Sequence, residues 1–207
     1  MSGTALSEHR WQRGLRTAIV GAAALVFAAS ARPAAATGEI EGLITQADRA
    51  RLAGFDKTRE TALKEARAGG DATDRATLEA LLSRPTRSFD GFDMKGDWQC
   101  RSIKLGGPVP LVVYGWFRCR VTDDGSGWRL TKLTGSQRTS GRFFTDNDQR
   151  LTYLGSLFVA GEQPPRYGAG PQSDQAGLAF RTGPRAWRIE FPAPRYESKL
   201  DILEFRR

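Results

Sequence analysis

Histidine is almost missing from this sequence. His9 is the only one in 207 residues, and it sits in an N-terminal stretch that reads as a leader, so the rest of the chain has no imidazole for proton transfer near neutral pH. That excludes Ser–His–acid triads, Cys–His pairs and His-ligated zinc sites. Cysteine is nearly as scarce. Cys100 and Cys119 are the only two, and they lack the C-x-x-C spacing of a redox couple. No long apolar run is present either: the 15 residues of TAIVGAAALVFAASA fall short of the roughly 20 needed to span a bilayer. The glycine-rich segments do not run from a strand into a helix, so no phosphate loop is indicated. The arginines are scattered singly, which argues against a nucleic-acid partner. Nothing in the composition calls for a metal or cofactor.

What is present begins with a leader. Arg10, Arg13 and Arg16 precede the apolar run, and ARPAAA supplies an A-x-A site at Ala34 and Ala36. This order predicts a signal peptide over residues 1–36 and a periplasmic or secreted product with no transmembrane span after cleavage. No cysteine lies at the cut, and the arginines do not form a twin pair. Residues 1–36 hold four basic residues and one acidic residue, so the formal charge of +8 falls to +5 in the mature chain. A balance of that sign suits an anionic envelope component as a partner, or ordinary solubility.

Residues 37–86 have helical character. TQADRARLAGFDKTRETALKEARAGG puts Leu52, Phe55, Leu63 and Ala66 near one face and stops at Gly69-Gly70, a C-terminal cap signal. A second helix is expected from Asp74 as its cap through RATLEALLS, ended by Pro85. The pair reads as a helical hairpin that covers another element or binds a partner.

From Phe89 the period changes to two. Strands are expected at 96–105, 111–121, 126–134, 137–144, 150–160, 175–182, 186–191 and 197–206. All connections but one are of hairpin length. The fold class is therefore mainly β with an N-terminal α-helical hairpin (α+β), the β part (87–207) being an eight-stranded antiparallel up-and-down barrel. A two-sheet sandwich is the alternative.

If GGPVP turns the chain between Val109 and Pro110, Cys100 and Cys119 lie directly opposite, and in an oxidising compartment they pair. Trp98 and Cys100, with Val113, Gly115, Phe117, Cys119 and Val121, are then the inward set. Val112, Tyr114 and Trp116 face outward and need a cover, for which the helices are the first candidate.

Gly96-Asp97-Trp98, with Arg206-Arg207 ending the chain, resembles the lipocalin pattern in which a tryptophan of the first strand is covered by an arginine of the last. The resemblance implies a structural role for Trp98 and Arg206 at the closed end, through cation–π contact. The lipocalin TDY signature is incomplete: Thr145-Asp146 is there, but the next tyrosine is Tyr153. A broader resemblance rests on GDWQCR, PLVVYGWFRC, LTGSQRTSGRFF, YLGSLFVAGE, PPRYGAGPQSDQ, WRIEFPAP and YESKLDILEFRR. This series resembles an exported bacterial protein family of unknown function, domain of unknown function 4893, which implies export and one shared fold but no activity.

Two polar segments are candidate sites. GSQRTSGR offers Arg138 and Arg142, and the long loop PPRYGAGPQSDQ offers Arg166, Tyr167, Asp174 and Gln175. Arginine, tyrosine and small hydroxyls suit an anionic head group. A plain connecting lid is the competing account. Asp174, Glu162, Glu190 and Glu197 could serve a carboxylate hydrolase, though their spacing selects no pair. Ser198 and Lys199 are adjacent, so on a strand they point apart and cannot form a dyad. The leading expectation is non-enzymatic binding of a small apolar or amphipathic ligand in a lipocalin-like barrel. An envelope interaction or enzyme-inhibitor module and a carboxylate hydrolase are the alternatives.

Overall fold

From Gly96 onward the two-residue period resolves into nine strands: β1 (Gly96–Leu105), β2 (Leu111–Val113), β3 (Phe117–Asp123), β4 (Trp128–Lys132), β5 (Gln137–Asn147), β6 (Arg150–Val159), β7 (Asp174–Gly183), β8 (Ala186–Pro192) and β9 (Leu200–Arg206). These come from a computed structural model that describes residues 37–207; the expected leader over 1–36 lies outside the described residues. Neighbours follow chain order and are antiparallel, and β9 pairs back onto β1 from Gln99↔Arg206 to Leu105↔Leu200. β2 and β3 lie end to end along one edge of β1, so the nine segments fill eight positions. The result is a closed eight-stranded antiparallel barrel, which leaves no open edge and excludes the sandwich.

The second expected strand, 111–121, is broken. Ile103 faces Val113 while Cys100 faces Phe117, so four steps on one strand oppose three on the other, the mark of a one-residue bulge. The extra residue resets the alternation. Val113, expected inside, packs outward against the helices, and only Phe117, Cys119 and Val121 of the expected set on this strand face the core.

The disulfide forms, but on a different register from the one expected. Cys119 faces Trp98 and Cys100 faces Phe117, so the bond runs diagonally with Cα atoms 5.9 Å apart. The hairpin turns earlier than expected because Gly106 and Gly107 adopt positive φ (72° and 106°) and Gly106 N–H donates to Pro110 O at 2.8 Å. A Cβ on Gly107 would meet Glu197 O at 2.3 Å, so only glycine fits there. The two-residue slip between cysteines keeps both on the inner face, which is why the pairing survives it.

One end of the barrel is plugged by aromatic rings. Trp187 stacks on Phe205 at 3.6 Å and meets Trp98 and Phe143 edge-on at 5.7 and 5.6 Å. Phe89, Phe92 and Met94, just before β1, close this end, and Trp98 Nε1–H donates to Met94 O at 2.8 Å. It is Arg207, not Arg206, whose guanidinium lies over Trp98, at 4.2 Å. Arg206 alternates to the outside and lies over Trp116 at 3.8 Å, with Arg101 at 4.7 Å from the same ring. These arginines, not the helices, cover Trp116.

Four helical segments stand where two were expected: α1 (Thr37–Leu43), α2 (Gln46–Ala53), α3 (Phe55–Gly69) and α4 (Ala72–Leu82). Gly54 ends α2 and starts α3, and Thr45 caps α2 by accepting from Asp48 N–H. Asp71, not Asp74, caps α4; Asp74 instead accepts from Val113 N–H at 3.0 Å and fixes β2. Ala62, Leu63, Ala66, Leu78 and Leu81 pack on Ile103, Leu105, Leu178, Leu200 and Ile202 of the barrel's outer face. Two buried carboxylates rivet this contact. Glu190 receives Arg59 at 2.6 Å and Arg188 at 2.7 Å, and Glu204 receives Arg84 at 3.0 Å and Arg101 at 2.5 Å. Removing one partner from such a buried set costs roughly 3–5 kcal/mol, because a charge is left uncompensated.

Candidate functional site

The six sequence-predicted binding residues do not form one site. Arg142, Arg166 and Tyr167 line a groove on the outer face of the barrel, Arg138 and Gln175 line a chamber inside its mouth, and Asp174 is structural. The long loop is what brings the first three together. It folds back along β6: Ser156 Oγ–H donates to Pro165 O at 2.7 Å, and Asp174 Oδ1 accepts from Gly168 N–H at 3.0 Å. Tyr167 ties the loop to α2, its hydroxyl donating to Asp48 Oδ2 at 2.7 Å and accepting from Thr45 N–H at 3.1 Å. Burial pushes the Tyr167 phenol up to about 12, with the neighbouring Asp48 carboxylate adding to the rise. Its hydroxyl is thus committed to the scaffold, and its ring is what the groove receives.

The groove has a volume of about 430 Å³, within the range of small-molecule sites. Leu43 of α1, Phe144, Leu154, Pro164 and Pro165 supply apolar wall, and Ser140, Gly141 and Gly155 supply a low floor. Gly141 and Gly155 face each other across β5 and β6. Either Cβ would come within 2.4 Å of backbone or of Tyr153 Oη, so the two strands approach closely only because both are glycine. Arg129, Arg142 and Arg166 reach the same space. Arg142 is paired with Asp124, whereas Arg129 makes only a long 3.4 Å hydrogen bond to Ser140 Oγ. Among the described residues, neither Arg129 nor Arg166 has a carboxylate at ion-pair distance.

Inside the mouth is a second polar cluster, of which the sequence pointed only to Arg138 and Gln175 as binding residues. Ser102 and Lys104 from β1, Lys132 from β4, Gln137 and Thr139 from β5, Gln175 from β7 and Asp201 from β9 surround a chamber of about 50 Å³. Thr139 Oγ1–H donates to Gln175 Oε1 at 2.7 Å and Tyr153 Oη–H can donate to Thr139 at the same distance. The signal was available in the alternation: Ser102 and Lys104 continue the inward parity of Trp98 and Cys100, Lys132 that of Leu130, and Asp201 that of Leu203 and Phe205.

The carboxylates considered for hydrolysis are dispersed. Glu190 is buried beneath α3, Glu162 accepts from Val159 N–H in its own turn, Asp174 holds its loop, and Glu197 bridges to Lys104 at 2.8 Å. Lys199 pairs with Glu65 while Ser198 Oγ–H donates to Asp201 at 2.5 Å, so these neighbours diverge.

A closed, helix-covered barrel with a disulfide in its first hairpin is the class this geometry defines. The family model for Domain of unknown function (DUF4893) matches residues 41–205. The chain belongs to that family, whose span takes in most of the helical segment and nearly the entire barrel. Neither the curated proteins nor the solved structures contain a significant match.

Proposed function

We propose that this protein is a non-enzymatic binder of a small amphipathic molecule with an anionic head, and that the ligand lies in the outer groove instead of the barrel lumen. One observation carries the proposal: a hollow of about 430 Å³ with apolar walls has at its edge three arginines against a single carboxylate among the described residues, Glu39, while the closed half of the lumen is filled by Trp98, Trp187, Phe143 and Phe205. Leu43, Phe144, Leu154 and the two prolines suit an apolar tail. Arg129 and Arg166 suit a carboxylate or phosphate head, because a planar guanidinium binds either through paired hydrogen bonds. The leader-like N-terminus and the paired cysteines support work in the periplasm or outside the cell, where disulfides persist.

Calorimetric titration of the mature protein with dodecanoate and with dodecyl phosphate, below their aggregation concentrations, tests this. Both anions are expected to bind, dodecyltrimethylammonium is not, and the R129A/R166A double variant is expected to weaken binding about tenfold or more. Equal binding of the cationic amphiphile, or unchanged affinity in the double variant, would contradict the proposal.

A further inference from the structure

Lys132 is 6 % exposed, and its ammonium makes one hydrogen bond, to Ser102 Oγ at 3.2 Å. It rests against the Phe117 ring at 4.3 Å. Among the described residues it has no carboxylate at ion-pair distance, although burying an ammonium without a counter-ion is costly. Lys104 Nζ points into the same chamber and is bound to Glu197 at 2.8 Å and Gln137 Oε1 at 3.1 Å. Asp201 borders the chamber too, but its carboxylate is engaged by Ser198. Counting every charged group that faces this space, Lys104, Lys132 and Arg138 stand against Asp201 and Glu197. With Asp201 ionised, one positive charge is left over.

The chamber does not end at these residues. A wider hollow of about 270 Å³ at the mouth shares Ser102, Lys104, Lys132 and Gln137 with it and adds Tyr114 and Phe117. The inner part has room for a group of a few heavy atoms; the outer part has room for a short tail. We infer that the mouth of the barrel is a second binding site, for a small monocarboxylate, whose carboxylate lies between Lys104 and Lys132 and whose tail lies toward Tyr114 and Phe117. A monoanion matches the single surplus charge. A dianion would press a second negative charge against Asp201 and Glu197.

The titration behaviour of the chamber gives the test a signature. Burial, against the opposing pull of Asp201 and helped by the charges of Lys104 and Arg138, brings the Lys132 amine down to about 8. Lys104 lies above the ordinary lysine value: burial opposes its charge, but its hydrogen bond to Glu197 and the charges of Asp201 and Glu197 outweigh that. Burial raises Asp201 to about 6. A bound carboxylate favours the charged form of Lys132. Binding above pH 8 therefore takes up protons, and affinity falls as pH rises through that range.

Titrating the mature protein with acetate, propionate and butyrate at pH 7 and pH 8.5, in two buffers of different ionisation enthalpy, reads this directly. The expected result is binding with net proton uptake at pH 8.5, weakened about tenfold or more in K132M and unchanged in R129A/R166A, so this site and the groove stand or fall separately. K132Q serves if K132M does not fold, and the proton uptake is measured on the unaltered protein. No binding by any of the three acids, equal binding of propionamide, or binding without proton uptake at pH 8.5 would overturn the inference.

Discussion

The two ends of the barrel are built by the same strands and differ in what the inward positions carry. At the closed end β1, β8 and β9 point Trp98, Trp187 and Phe205 inward. At the mouth β1 and β9 point Ser102, Lys104 and Asp201 into the same lumen, joined by Lys132 from β4. Alternation continues unbroken along β1 and β9, and only the chemistry changes. The closed end gains free energy from burial and ring contact. At the mouth, burial disfavours the charges of Lys132 and Asp201, while Lys104 is held charged by Glu197 and Asp201.

The sharpest way to break that comparison is Trp187→Ala. Trp187 is fully buried and touches Trp98, Phe143 and Phe205, so the variant is expected to lose roughly 3–5 kcal/mol in denaturant unfolding. A loss under 1 kcal/mol would mean that the aromatic plug is not the anchor. Reduction of Cys100–Cys119 comes next. The bond closes a loop with a sequence separation of 19, and chain entropy assigns it about 3 kcal/mol. Equal unfolding midpoints with and without reductant would remove it from the account. Arg207→Ala is the smallest effect at this end. Losing the cation–π cover of Trp98 and the donations to Asp93 O and Lys95 O is expected to cost about 0.5–1 kcal/mol. Arg206→Ala should leave Trp98 fluorescence unchanged, since Arg206 lies over Trp116.

The barrel was legible in the sequence because its signals are local. The two-residue period, the short connections and the paired cysteines led to eight strand positions, and the structure closes them. Parity was the fragile part. One extra residue between Val113 and Phe117 turned Val113 from inside to outside, and no propensity marks where a bulge falls. The same one-residue sensitivity separates Arg206 from Arg207 at the Trp98 ring. Arg142, Arg166 and Tyr167 were picked from two polar segments, and they meet because the long loop folds back on β6, a tertiary fact with no local signature. The mouth cluster is the opposite case. Its residues are spread over five strands as single polar positions in apolar alternation, which resemble ordinary surface positions until the inward face is known.

Thermal unfolding of K132M against the unaltered protein from pH 6 to pH 10.5 tests most directly whether the mouth keeps its charge at the expense of the fold. Methionine retains most of the apolar stem and removes the ammonium. The Lys132 amine is held down near 8 in the folded chain, against about 10.4 for a free lysine. The folded state therefore binds fewer protons than the unfolded state between these values, and Lys132 weighs against folding most below pH 8, with relief as pH rises toward 10.5. K132M is expected to melt higher than the unaltered protein at pH 6 to 7, and the difference to close toward pH 10.5. A variant that melts lower at pH 7 would show that Lys132 stabilises the barrel, and would contradict the division between a closed end that holds the fold and a mouth that does not.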